Sequence, residues 1–322
     1  MTPIGGLRHE YQRLNNCGPV TLGMAMSRWG STQTQRQIAP LLKPTRTDKN
    51  VSLSELASYA RTQGYEAYQG VAGDLSLMKK LLAAGFPVIV ETWFQTPEEG
   101  GMGHYRLLTG YDDAARSFSA LDSYYGPKVR MDYTRFFNDW RAYLGSYLVV
   151  YPPDQRDTLQ RTLNFHADPE LLGPYALKRA GLALDNRPHD AVTLYNRAAI
   201  RLRLGDAAGA TRDFQAAEAA PPDPQLDPTR PGRVQGGLPW RFLWYRFEIY
   251  EAYLRTGQYA DVVRLATRVL RDAPDHEEAL YWRGRAYAAL GRKAQAHTDL
   301  QAALQLRSGY PAARIALADL NR

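Results

Sequence analysis

"NNCGPVTLGMAMSRWG", residues 15–30, holds the one cysteine of a 322-residue chain and places it where a helix begins. Asn15 and Asn16 are residue types that cap helices, and Pro19 suits a first helical turn, where a missing N–H costs nothing. Val20, Leu22, Met24, Met26 and Trp29 then supply the apolar side chains of a mostly buried helix. At such an N-terminus, unpaired backbone N–H groups and the positive end of the dipole favour a thiolate over a thiol. A free cysteine is often no more than a small buried hydrophobe, but an inert one belongs mid-helix on the apolar face. Cys17 therefore reads as a candidate nucleophile. That role needs a base, a group to orient the base, and donors for an oxyanion.

Six histidines are available: His9, His104, His166, His189, His276 and His297. Four lie in the second half and His9 sits in the N-terminal tail. His104, in "GMGHYRLLTGYDD" (residues 101–113), opens a strand pattern within the first half. If "HYRLLTGY" pairs with "SFSALDSYYG" around a loop Asp112–Asp113–Ala114, position 111 faces 115 and His104 faces Asp122. A carboxylate there can hold the histidine tautomer and support an imidazolium. A slip of one residue would turn Asp122 to the other face. Gln12, five residues before the cysteine, is the candidate side-chain donor that joins the Cys17 N–H at the oxyanion.

Around these residues the first half alternates helix and strand patterns. "TQTQRQIAPLLK" and "SLSELASYARTQG" read as helices, the second capped by Ser52 and stopped at Gly64. "YEAYQGVA" reads as a strand and "LSLMKKLLAAG" as a helix ending at Gly85. The buried-strand run "FPVIVETWF" follows, then the two strands of the hairpin, the helix "YTRFFNDWRAY" and a closing strand "YLVVYP". Helices early and a sheet late define an α+β domain over residues 1–155.

From residue 156 to 322 the pattern becomes continuous amphipathic helix with an internal repeat. Turn glycines recur at Gly205, Gly257 and Gly291, and helix-ending prolines at Pro188, Pro222 and Pro274. The spacing is 34 residues, with one interval lengthened by the insertion "PPDPQLDPTRPGRVQGGLPWR", residues 221–241. Leu238, Pro239 and Trp240 suit burial, so this insertion is expected to be an ordered loop on the helices. A 34-residue helix–turn–helix period defines tetratricopeptide repeats, and "EEALYWRGRAYAALGRKAQAHTDLQAAL" (residues 277–304) resembles their consensus. Three repeats, a degenerate one ending at Pro188 and a capping helix from Pro311 make an all-α solenoid. Counting back from the glycines places Tyr195, Arg203, Trp244, Phe247, Arg255, Tyr281 and Arg285 along a concave groove. Aromatics interleaved with arginines suit a peptide partner carrying a carboxylate.

The net charge is +7, yet residues 1–153 carry 16 Lys+Arg against 13 Asp+Glu and residues 154–322 carry 24 against 20. No basic block tracks a phosphate backbone, which argues against nucleic acid as a partner. Neither metal-ligand spacing nor a glycine-rich phosphate loop occurs, so no metal or cofactor is expected. No apolar run reaches the roughly 18 residues of a membrane span, and nothing at the N-terminus reads as a signal peptide. Location is left open, since an upstream segment could direct export to the cell envelope.

"YQRLNNCGPVTLGMAMSRWG", "DKNVSLSELASYARTQG", "GFPVIVE", "GHYRLLTGYDD" and "ALDSYYGP" together resemble the bacteriocin-processing (double-glycine leader) peptidases, in their stand-alone bacterial branch. The full chain resembles bacterial proteins that join this domain to tetratricopeptide repeats. The resemblance implies a papain-like cysteine peptidase fold with the chain order Gln, Cys, His, Asp, matched by Gln12, Cys17, His104 and Asp122. It implies hydrolysis of a peptide or protein substrate, with the repeats recruiting a protein or peptide. Two rivals come from other classes: acyl transfer or amide hydrolysis by the same residues, because fold does not fix substrate, and a non-catalytic scaffold whose repeats do the binding.

Overall fold

The computed structural model describes residues 2–45, 48–96, 100–223, 226 and 237–320. Its first half is built on a six-stranded sheet of β1 (Glu66–Gly70), β2 (Val88–Thr96), β3 (Gly100–Asp112), β4 (Ser117–Asp122), β5 (Gly126–Asp132) and β6 (Tyr147–Tyr151). The strands lie in the order β1-β6-β2-β3-β4-β5, with every neighbouring pair antiparallel. Helices α1 (Cys17–Ser27), α2 (Gln35–Leu42) and α3 (Leu53–Thr62) come before the first strand; α4 (Leu75–Ala83) and α5 (Tyr133–Arg141) are interleaved with the rest. Strand alternation sends Ile89, Leu107, Leu148 and Val150 to one face against α1 and α3. Val88, Val90, Leu108 and Val149 go to the other, against α4 and α5.

Local chemistry sets the ends of these elements. Ser52 and Glu55 form a reciprocal capping box at the start of α3, and Gly64 and Gly85 take the left-handed backbone that stops α3 and α4. Strand β5 carries no expectation from the sequence. "GPKVRMD" is poor in apolar residues because β5 is an edge strand, where Pro127 is tolerated.

The second half is helical: α6 (Arg156–Leu163), α7 (Pro169–Asn186), α8 (Ala191–Arg203), α9 (Ala207–Ala219), α10 (Glu248–Arg255), α11 (Tyr259–Asp272), α12 (Glu277–Ala289), α13 (Lys293–Leu306) and α14 (Pro311–Leu320). Gly205, Gly257 and Gly291 all have positive φ, and each turns the chain between paired helices. A bidentate ion pair recurs inside two repeats. Arg197 holds Asp213 at 2.7 and 2.8 Å, and Arg283 holds Asp299 at the same two distances. Of the insertion, residues 224–225 and 227–236 lie outside the described residues; Leu238 and Trp240 are buried, and Trp240 Nε1 donates to Asp272 Oδ2 at 2.9 Å.

The groove expected along the repeats is corrected here. Tyr195, Trp244 and Tyr281 are buried in the helical core, and Phe247 is half-buried against it. The insertion shortens the first helix of its repeat, so α10 begins at Glu248 and leaves Trp244 in a 3-10 turn and Phe247 at the N-cap. These rings fill space between helices because their area is worth more buried than exposed. Arg203, Arg255 and Arg285 remain on the surface.

The two halves share packing. Trp93, Ala142 and Tyr143 of the first half join the helical core. Arg141 bonds Asp190 Oδ1 at 2.7 Å and pairs with Asp223, while Arg246 Nη1 donates to the Ala142 carbonyl at 2.5 Å. The segment ahead of α3 and the first turn of α3 meet the start of α12 and the residue after α13 through Lys49–Asp275 (2.6 Å), Asn50 Nδ2 to Glu278 Oε1 (3.5 Å) and Arg307–Glu55. Burial, reinforced by neighbouring carboxylates, pushes Asp48 up to about 6, Glu277 to about 7 and Glu278 well above the usual range. Acids raised on folding bind more protons folded than unfolded. Their penalty is therefore absent at low pH and grows as pH rises from the unfolded carboxylate range through the raised values. Glu278→Gln is expected to stabilise the protein by on the order of 1 kcal/mol near pH 8 and by much less near pH 5. Thermal denaturation at both pH values checks it.

Candidate active site

The cysteine loop is built so that the end of α1 stays open. Asn16 occupies the N-cap but makes no capping bond with its side chain. Its Nδ2 donates to Gln35 Oε1 at 3.0 Å, and its Oδ1 accepts from Lys43 Nζ at 3.2 Å. The sequence expectation of an asparagine side-chain cap is corrected accordingly: both polar ends of Asn16 are engaged by α2 and the residue that follows it. Cys17 is half-buried at the first position of the helix, with its sulfur toward the N–H groups of Gly18 and Tyr105 and the ring of His104.

His104 is 3 % exposed on β3. Its Nε2 lies 3.0 Å from Asp122 Oδ1, which leaves Nδ1 as the nitrogen available to Cys17. The pairing that produces this differs from the expected one. Asp122 faces Arg106, not His104, because the turn runs through residues 113–116 and a bulge falls between Leu108 and Gly110. The offset is two residues, which keeps Asp122 on the face expected for it, and the carboxylate reaches His104 diagonally. Asp122 is fully buried. Its Oδ1 also accepts from the Tyr124 and Tyr125 N–H groups at 2.7 and 3.0 Å, and its Oδ2 from Arg106 Nε at 2.8 Å.

Electrostatics follows from these contacts. Burial pushes the Cys17 thiol up, but the His104 hydrogen bond and charge, with the Tyr105 and Gly18 N–H groups, outweigh it and bring the thiol below its ordinary value. For His104, burial works downward while Asp122 and the Cys17 sulfur hold the proton; the net shift is upward. Asp122 is raised by burial but drawn far below the carboxylate range by His104, Arg106 and the Tyr125 N–H. All three shifts favour a thiolate beside an imidazolium with an ionised carboxylate behind it. That arrangement can attack a carbonyl and then protonate a leaving group.

Gln12 is tied to the strand that ends at Asp122. Its N–H donates to the Ser123 carbonyl at 2.9 Å, and its Oε1 accepts from Ser123 Oγ at 2.7 Å, which sets the amide so that its N–H2 is the donor end. His9, placed in the tail by the sequence, reaches the Asp122 carbonyl with Nε2 at 2.9 Å and packs edge-on to Tyr11. Sequence reasoning missed Arg106, although an arginine two residues beyond His104 in an apolar strand shares its face. It also missed Glu91 and Tyr245. A Cβ on Gly103, the residue before His104, would lie 3.0 Å from Glu91 Oε1 and 3.1 Å from the Tyr245 ring, so the helical half packs directly against the histidine strand. Burial, with the Cys17 charge adding to it, pushes Glu91 up to about 8. Among the described residues, no cluster of His, Cys, Asp and Glu is suited to a metal, and no helix is long and apolar enough to cross a membrane.

A helix-borne cysteine set against an antiparallel sheet that carries histidine and aspartate makes the first half an α+β unit, followed by helical repeats. Residues 6–148 match the Peptidase_C39 like family and residues 277–310 the tetratricopeptide repeat. Among solved structures, the peptidase domain of Streptococcus ComA, a bifunctional ABC transporter, is 19% identical with a TM-score of 0.38; the match covers 46% of this chain and 98% of that one. A C39-like peptidase from Bacillus anthracis is 16% identical, with a TM-score of 0.37 and coverage of 46% and 96%. A thermophilic tetratricopeptide repeat protein from Thermus thermophilus is 26% identical, with a TM-score of 0.32 and coverage of 51% and 78%. No curated protein matches the chain.

Proposed function

We propose that the protein is a cysteine peptidase that hydrolyses peptide bonds through Cys17, His104 and Asp122, and that its repeats recruit the substrate or a protein partner. The observation that carries this reading is the buried His104 ring held by Asp122 Oδ1 at 3.0 Å beside a Cys17 thiol that the same histidine lowers. Cys17 attacks the scissile carbonyl while His104 holds the proton and later passes it to the leaving amine. Asp122 fixes the tautomer that makes this transfer productive. The Gln12 N–H2 and the Cys17 N–H receive the oxyanion, and the uncapped end of α1 adds its dipole to them.

The test is alkylation of Cys17 by iodoacetamide across pH, run beside hydrolysis of a fluorogenic peptide library. The lowered thiol and raised imidazole give the ion pair a broad pH window. Both rates are expected to rise below the ordinary thiol range, and hydrolysis to fall again only above the ordinary histidine range. A labelling curve centred on the ordinary thiol value would overturn the reading. Adding a free amine separates hydrolysis from acyl transfer: an acyl-enzyme that goes to the amine at low concentration marks a transferase.

For recruitment, the exposed Arg203, Arg255 and Arg285 replace the mixed aromatic groove as the proposed contact. Arg255 pairs with Glu251 within its own helix, and Arg285 Nη1 donates to the Tyr281 hydroxyl at 3.2 Å. Both can exchange these surface bonds for a partner carboxylate at little cost. Arg255→Glu with Arg285→Glu is expected to abolish capture of an acidic partner at moderate salt. Equal capture by wild type and variant in a pull-down would rule this face out.

A further inference from the structure

The clamp on the cysteine loop contains a charge that the mechanism above does not use. Lys43 directly follows α2, and the residue is 9 % exposed. Its Nζ donates to the Asn15 carbonyl at 2.8 Å and to Asn16 Oδ1 at 3.2 Å. Asn15 has φ +55°, the left-handed backbone that reverses the chain just before the nucleophile. At the opposite end of α2, Gln35 accepts from the Arg13 N–H at 2.8 Å and from Asn16 Nδ2 at 3.0 Å, and donates to the Tyr11 carbonyl at 2.8 Å. The short helix thus braces the whole run from Tyr11 to Asn16 from both ends. Gln35 alone satisfies three groups of this loop without a charge. Burying an ammonium is expensive, and a neutral donor would hold a carbonyl as well.

We propose that Lys43 is a positioning residue for Cys17: its ammonium fixes the Asn15–Asn16 turn and supplies positive charge beneath the helix end where thiolate and oxyanion form. This rests on the peptidase reading of the site. The charges around Lys43 fit the role. Asp48 and Cys17 are the groups that favour its protonated form, while burial and Lys49 oppose it. Asp48 is itself pushed up to about 6, mainly by burial and with Glu55 adding to it, although Lys43 and Arg307 pull it down. Near neutral pH Asp48 is therefore mostly ionised and offsets part of the lysine charge, while the Lys43 ammonium itself is spent on the Asn15 carbonyl and Asn16 Oδ1. Around the sulfur, His104 acts in the same direction as Lys43, and Glu91 on β2 acts against it.

The experiment titrates the Cys17 thiolate by its ultraviolet absorbance and by iodoacetamide alkylation in the full chain, for wild type, Lys43→Gln, Lys43→Met and Lys43→Arg. Lys43→Gln keeps a donor for the Asn15 carbonyl and removes the charge. It is expected to move the titration upward by roughly half a unit to one unit, a threefold to tenfold loss of alkylation rate below the midpoint. Lys43→Arg is expected to recover most of that loss. If Lys43→Gln melts as wild type does and its titration is unchanged, the proposal falls. Should Lys43→Gln fail to fold, Lys43→Arg decides: a folded arginine variant titrating above wild type by the same margin would overturn the charge role, and one titrating with wild type would support it. His104→Ala separates the two levels. If neither His104→Ala nor Lys43→Gln moves the thiol, the peptidase reading fails. If only His104→Ala does, that reading stands and the role of Lys43 is lost.

Discussion

His104→Ala is expected to lower kcat/KM by at least about 10⁴-fold while leaving the thermal melt within a few degrees of wild type, and Cys17→Ala to do the same. The prediction is two-sided because the site separates chemistry from support. Removing the imidazole strips Asp122 of one partner, but Arg106 and the Tyr124 and Tyr125 N–H groups still satisfy that carboxylate. No buried charge is stranded. The volume lost is that of one imidazole, which packs at a tilt on Phe94 with centroids 4.7 Å apart. The rate falls for two reasons: the thiol loses the cation that holds it as thiolate, and the leaving amine loses its acid. Alkylation at neutral pH should drop in parallel, since His104 is the main influence that lowers the Cys17 thiol against its burial. Turnover near wild type in either variant, with the fold intact, would move the chemistry to another residue.

How much of this was legible beforehand depends on which interactions are local. The start of α1 at Cys17, the Ser52 box, and Gly64, Gly85 and the repeat glycines are set by a few neighbouring residues, and each can be read from type and spacing. The hairpin is semi-local. Parity along β3 and β4 survived, so Asp122 is on the expected face, but the bulge at Leu108/Gly110 and the longer turn shifted its partner to Arg106. Bulges depend on how the sheet twists against its neighbours, which the two strands alone do not encode. Long-range support was the least legible. Lys43 and Gln35 lie 26 and 18 residues beyond Cys17 and act on it through a loop, and Tyr245 arrives from the helical half. The aromatic groove misled because helix counting gives the direction of a side chain and not whether a later insertion covers it. Tyr195 shows this: Phe242, from the 3-10 turn after the insertion, packs on its ring at 5.0 Å.

Asp122→Asn tests the site from behind, and there either the rate or the stability should fall. Asp122 serves two partners at once, with Oδ1 toward His104 at 3.0 Å and Oδ2 toward the Arg106 guanidinium at 2.8 Å. An amide of the same shape can satisfy one of them with its oxygen, but it turns a donor toward the other. If the oxygen stays with Arg106, the N–H2 meets His104 and imposes the wrong tautomer, for which a rate loss of about 10⁴-fold is the expectation. If the oxygen turns to His104, the guanidinium of Arg106, 6 % exposed, faces an N–H2 without a counter-charge, at a cost of about 3 kcal/mol or more. Either orientation fails at one of the two partners. Arg106→Met is the control that separates them. It leaves the Asp122–His104 bond in place, so it should lose melting temperature while keeping most of the rate and a low-lying Cys17 titration. A folded Asp122→Asn protein with both rate and melting temperature unchanged would show that neither partner needs the carboxylate. The orienting role would then pass to another group or be unfilled.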